Sequence, residues 1–143
     1  MLLAPKKTKF NKSFSGRKMT KTIKSKNSEF RFSTYCLIAN QSGILTNFQV
    51  ESIRRLLRRL LKKKAQLFFR LILNKPITKK PNEVRLGKGR GNVKYWAYFL
   101  KKGDIIWEIK FVNQTASNSI INSVRHKLPI KSFILNRQKR WIL

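Results

Sequence analysis

A chain of 143 residues with 34 lysines and arginines against five acids carries a net charge of +29, a self-repulsion that calls for a polyanionic partner, with nucleic acid first and an anionic membrane surface second. Hydrophobic residues make up 41% of the chain, enough for one modest core, yet no apolar run approaches the roughly 20 residues of a spanning helix, and the run at 67–73 is interrupted by Arg70. One cysteine, Cys36, one histidine, His126, and acids scattered as Glu29, Glu51, Glu83, Asp104 and Glu108 leave no internal disulfide, no zinc ligand set and no catalytic grouping, so neither enzyme, metal nor cofactor is expected.

Residues 1–27 contain no acid and nine cations, Lys6, Lys7, Lys9, Lys12, Arg17, Lys18, Lys21, Lys24 and Lys26. Such a segment cannot bury enough apolar surface to fold alone, and it reads as an extended RNA-binding arm. A mitochondrial presequence competes, since the segment is basic, acid-poor and bears Ser and Thr. Against that reading, Pro5 and the irregular spacing of Phe10 and Phe14 give no clean amphipathic helix.

Residues 29–38 are rich in aromatic and β-favouring side chains and read as a strand, ended by 40–43. Thr46 stands three before Gln49, the spacing of a capping box. In the helix that follows, Val50, Ile53, Leu56, Leu57, Leu60 and Leu61 recur at three- and four-residue spacing, and Arg54, Arg55, Arg58, Arg59, Lys62 and Lys63 recur on the opposite side. The cationic face is a solvated surface, a membrane-surface face or a ridge lying along phosphates. With only Glu51 to offset them, the cations repel at each i, i+4 step, and an external polyanion would remove that cost.

The apolar run at 67–73 has strand length. Residues 75–81, with Lys75, Pro76, Lys79, Lys80 and Pro81, read as a stiff basic loop. Next comes a stretch in which Gly87, Gly89 and Gly91 alternate with Lys88 and Arg90 just after Arg85. Its backbone can take conformations closed to other residues and leave amides bare toward a flat anion. It lacks the Gly-Lys-Ser/Thr of a Walker loop and the Gly-x-Gly-x-x-Gly of dinucleotide folds; a glycine-rich hairpin turn is the plainer reading. Residues 93–100 and 105–112 flank Gly103 as a β-hairpin, with Ile105, Trp107, Ile109 and Phe111 on one face. Residues 115–127, with Ala116, Ile120, Ile121, Val124 and then Leu128 at helical spacing, read as a second helix stopped by Pro129. Residues 132–135 read as a last strand. This divides the chain into an arm (1–27), a globular domain (28–136) and a basic extension (137–143).

The order of these parts resembles one family, the bacterial-type large-subunit ribosomal protein sixteen. The likeness rests on Pro5-Lys6-Lys7-Thr8-Lys9-Phe10, on Leu45-Thr46 with Gln49, Glu51, Arg54, Arg55 and Arg59, on Arg70, and on Lys75-Pro76-Ile77-Thr78 and Lys80-Pro81. It continues through Val84-Arg85, Gly87-Lys88-Gly89, Gly91-Asn92, Tyr95-Trp96, Gly103, Glu108 and Lys127-Leu128-Pro129-Ile130-Lys131. The resemblance implies an α+β fold of the α/β-hammerhead type, a mixed sheet with two packed helices plus the extended basic arm.

It also implies a structural constituent of the large ribosomal subunit that binds large-subunit rRNA beside the aminoacyl-tRNA site, shapes that site and completes subunit assembly. Its partners would be that rRNA, A-site tRNA and neighbouring large-subunit proteins, without a membrane span or homo-oligomer. On this reading the rRNA-binding side chains are Lys6, Lys7, Lys9, Lys12, Arg17, Arg54, Arg55, Arg58, Arg59, Lys62, Lys63, Lys75, Lys79, Lys80, Lys88 and Arg90. The tRNA-proximal loop is Arg85, Gly87, Lys88, Gly89, Arg90 and Gly91. Arg85 aligns with an arginine that some bacterial relatives hydroxylate. A cationic membrane-surface protein and a general nucleic-acid chaperone are the readings from other classes.

The departures point to an address. Leu86 stands where the family usually has Met, Phe68 where it has Trp and Ala65 where it has Gly. Lys110-Phe111 replaces a pair ending in Gly, and the second helix has lost its Ala-rich character. Drift toward Lys, Asn, Ile, Phe and Leu suggests A+T-rich coding, as in a mitochondrial genome. Because the family pattern starts almost at Met1, the expectation is synthesis inside the organelle and a place in the mitochondrial matrix, with a plastid or a bacterial cytoplasm as alternatives.

Overall fold

The computed structural model describes residues 3–14, 29–33, 35–62, 65–85, 87, 89–111 and 122–137. Among them are strands β1 (Tyr35–Ala39), β2 (Gly43–Thr46), β3 (Ala65–Phe69), β4 (Lys75–Lys79), β5 (Asn92–Leu100), β6 (Ile105–Phe111) and β7 (Ser132–Asn136), and one long helix, α1 (Asn47–Leu61). Residues 122–125 form a second helical segment. The expected α+β class is what the chain adopts. Its strands are divided between two sheets, of order β3-β6-β1-β7 and β2-β5-β4, and every pairing is antiparallel.

The capping box forms as its spacing predicts. The Thr46 hydroxyl accepts from the Gln49 amide at 3.4 Å, and the Gln49 side chain accepts from the Thr46 amide at 3.0 Å. From that start α1 buries Val50, Ile53, Leu56, Leu57 and Leu61 against Leu37, Leu45, Leu100, Ile106, Trp107 and Ile109 from both sheets. Leu60, expected on the same face, is exposed, because it sits at the margin of the apolar stripe. Val50, Ile53, Leu56, Leu57 and Leu61 are thus taken up by the core and are not available to lay on a bilayer.

Other expectations change as well. The strand foreseen at 29–38 begins only at Tyr35, because the amides of residues 31–33 bond to a carboxylate rather than to a neighbouring strand. The strand foreseen at 67–73 lies at Ala65–Phe69; its ladder with β6 runs from Ala65↔Phe111 to Phe69↔Trp107, and residues 71–73 run beyond it. Residues 75–79, foreseen as loop, are strand β4, with Pro76 buried in it. A proline is tolerated there because β4 is an edge strand and needs no amide on its open side. Strands β5 and β6 meet at the expected turn, where Gly103 has φ 91 and the Lys101 amide donates to the Asp104 carboxylate at 2.8 Å. They belong to different sheets, however, so the turn is a crossover and not a hairpin.

Nor does Ile105 share a face with Trp107 and Ile109 in the way the alternation predicts. Leu37 pairs with Trp107 but Ile38 with Ile105, which leaves Ile106 as the extra residue of a bulge. A bulge shifts the alternation by one. Trp107 and Ile109 therefore face the main core, while Ile105 joins Cys36 and Ile38 in a smaller cluster on the other side.

Of the second helix foreseen at 115–127, residues 115–121, including Ala116, Ile120 and Ile121, lie outside the described residues, as do 138–143 of the C-terminal extension. Val124 and Leu128 are buried as expected, and the final strand is one residue longer than foreseen.

Candidate nucleic-acid interface

The cationic ridge of α1 is not uniform. Glu51 takes the Arg54 guanidinium through Nε at 2.8 Å and Nη2 at 2.6 Å, and Arg55 through Nε at 3.0 Å. The Arg54 side chain is only 22% exposed, whereas that of Arg55 is 76% exposed. The hydrogen bond from Arg54 is the main cause holding the Glu51 carboxyl at about 2, well below its ordinary value, so the pair stays ionised at any physiological pH. One turn on, Arg58, Arg59 and Lys62 are exposed and, among the described residues, meet no carboxylate. Lys62 closes the helix with φ 49, its amide donating to the Arg58 carbonyl at 2.9 Å. Lys63 lies outside the described residues.

The glycine-bearing stretch is the tip of a hairpin. Strands β4 and β5 pair up to Lys79↔Asn92, so residues 80–91 form the loop that joins them, which satisfies the plainer reading of the stretch as well. Gly87 and Gly89 have φ 97 and 77, a region that side chains with a Cβ avoid. A Cβ at either position would meet nothing within 4 Å, whereas at Gly91 it would lie 2.5 Å from the Lys79 carbonyl oxygen. Gly87 and Gly89 thus serve the turn, and Gly91 the close approach of the two strand ends. Arg85 and Arg90 are exposed at this tip. Lys79 is exposed and Lys75 and Lys80 are half-buried; Lys88 lies outside the described residues.

The arm and the loop touch. Lys12 Nζ donates to the Arg90 carbonyl at 3.1 Å, the Arg90 guanidinium lies 5.9 Å from the centre of the Phe14 ring, and Lys80 Nζ donates to the Gly87 carbonyl. Lys6, Lys7 and Lys9 are exposed along the same segment. Arg17 lies outside the described residues. Lys12 and Lys80, assigned from the sequence only to phosphate contact, are thus also tied to carbonyls of the loop.

A second constellation went unread in the sequence. Glu108, fully buried in β6, accepts from the amides of Phe32 at 2.7 Å, Ser33 at 3.0 Å and Arg31 at 3.2 Å, and pairs with the Arg70 guanidinium. Phe32 in turn stacks on Phe68 at 5.0 Å and lies 5.4 Å from Arg70. The signal was one acid inside an apolar strand of a chain with five acids in all, because a buried charge demands partners. Cys36 lies beside this group, and burial first, then the Glu108 charge, pushes its thiol up to about 12. That makes it an inert core residue, as expected. Among the described residues no three His, Cys, Asp or Glu side chains come together to hold a metal ion, and no helix is long and apolar enough to cross a membrane.

The sequence pattern of the family described as ribosomal protein L16p/L10e matches residues 5–135. The chain belongs to the L16p/L10e ribosomal protein family. Large ribosomal subunit protein uL16 of Wigglesworthia glossinidia brevipalpis is 41% identical to it over 136 residues, which cover 95% of this chain and 98% of that one. The same protein of Blochmanniella pennsylvanica is 38% identical over 137 residues, 96% and 100% of the two chains. That of Acinetobacter baumannii strain AYE is 38% identical over 136 residues, 95% and 98%. Membership bears out the resemblance read from the sequence, and an L16p/L10e protein is a structural ribosomal component and not an enzyme.

Proposed function

We propose that this chain, a structural constituent of the large ribosomal subunit, binds large-subunit rRNA beside the aminoacyl-tRNA site and helps shape that site and complete subunit assembly. The supporting observation is the hairpin tip at 80–91, where left-handed Gly87 and Gly89 present exposed Arg85 and Arg90 on a backbone tied back by Lys12 and Lys80. In this reading the tip is the tRNA-proximal loop. The rigid face of α1 with Arg55, Arg58, Arg59 and Lys62, the β4 lysines, and the arm with Lys6, Lys7, Lys9 and Lys12 lie against rRNA. Arginine forks onto phosphate or stacks on bases, while lysine acts as a compact charge. A mitochondrial matrix address belongs to the same proposal, supported by the replacements toward Lys, Asn, Ile and Phe; fractionation of organelles tests it.

If about 6 to 10 phosphates are neutralised, affinity falls on the order of a thousandfold or more between low and moderate salt. The division of labour is tested on sucrose gradients and in tRNA-binding assays with ribosomes carrying variants. Arg85→Ala is expected to assemble and then bind A-site tRNA poorly. Joint reversal of Arg55, Arg58 and Arg59 to Glu is expected to stop incorporation. Equal assembly loss in both would overturn the assignment.

A further inference from the structure

We propose that the groove between α1 and Lys127 holds one unpaired rRNA nucleotide, its base laid on Phe48 and its phosphate on Arg55, Arg59 and Lys127. The proposal rests on the ribosomal reading above and adds a base contact at Phe48 that neither the charge pattern nor the family motifs assign. Phe48 is 66% exposed, although a phenylalanine ordinarily sits in a core. It stands at the start of α1 and shares one stripe with Ser52, Arg55 and Arg59, at steps of four, three and four residues. That stripe and Lys127 line a groove of about 450 Å³, within the usual range of small-ligand sites.

Two features make the groove fit a nucleotide. The Phe48 ring is steadied edge-on by Tyr95, with centres 6.5 Å apart and planes at 65°, and among the described residues no ring stacks on it. Arg55 is largely exposed yet held in place, because Glu51 takes its Nε and leaves the terminal nitrogens for an incoming anion. Glu51, the one carboxylate in the lining, is already neutralised by Arg54 and Arg55, so three cations face the groove without a competing free acid. An aromatic platform beside fixed guanidinium groups is how unpaired bases are held, since every base has a face to stack and a phosphate next to it. An acidic peptide satisfies the cations equally but needs no bare aromatic face.

The test uses the full chain with a large-subunit rRNA fragment, measured by filter binding across a salt series, together with photo-crosslinking from position 48 in assembled subunits. Phe48→Ala should weaken binding about 5- to 150-fold with the salt slope unchanged, and Phe48→Trp should bind at least as tightly as the wild type. Arg59→Gln should lower the slope by about one. The crosslink should fall on a single rRNA nucleotide. Wild-type binding that Phe48→Ala leaves untouched, or a crosslink to a ribosomal protein, overturns the groove assignment alone. A wild-type chain that binds no rRNA fragment overturns the proposed rRNA binding and the groove with it.

Discussion

Replacing Glu108 by glutamine removes one charge from the buried group that ties residues 31–33 to the sheet, at nearly unchanged shape. Glu108 has no exposed surface and the Arg70 side chain is 7% exposed, so the variant leaves a guanidinium almost without water and without its counter-charge. Breaking a buried pair from one side costs about 3–5 kcal/mol. The amide group also turns a donor toward backbone amides that need an acceptor, a mismatch of roughly 1–3 kcal/mol that overlaps the first figure. The expected loss is therefore about 3–5 kcal/mol, a large part of the roughly 5–15 kcal/mol that holds a typical domain. Urea unfolding followed by tryptophan emission reads it, since Trp107 is buried next to Glu108. Arg70→Met should cost less, because the carboxylate keeps its three amide donors. A Glu108→Gln variant within about 0.5 kcal/mol of the wild type, or an Arg70→Met variant worse than it, would refute the reasoning.

Gly91→Ala sets a Cβ 2.5–2.7 Å from the Lys79 and Lys80 backbone, so the hairpin end must open; a loss of about 1–3 kcal/mol and faster hydrogen exchange over 80–91 are expected. Cys36, with its thiol at about 12, should resist a thiol reagent at pH 8 in the native chain and react fully in denaturant; rapid native labelling would contradict its burial. Glu51 titrates at about 2 instead of its ordinary 4.5, so its contribution is fully present above about 4.5 and is lost as pH falls toward 2. Because the group is only partly buried and Arg55 is largely exposed, Glu51→Gln should cost only about 0.3–1 kcal/mol at neutral pH and flatten the stability curve across that acid interval.

What was legible in the sequence is what neighbours in the chain decide. The Thr46–Gln49 cap, the phase of Val50, Ile53 and Leu57 against the cations, and the left-handed glycines at 87 and 89 each depend on residues within a turn or two. The excess of positive charge requires a polyanion whatever the fold, so the class of partner could be read before any coordinate. Tertiary structure alone decided the rest. It set which sheet each strand joined, the bulge at Ile106 that moved Ile105 to the far side, and the edge position that let Pro76 enter a strand. It also joined Lys12 to the Arg90 carbonyl, 78 residues away, and the amides of 31–33 to Glu108, 75 to 77 residues away. Those contacts answer a question that local pattern does not pose, namely which distant group satisfies a polar atom once folding has taken its water.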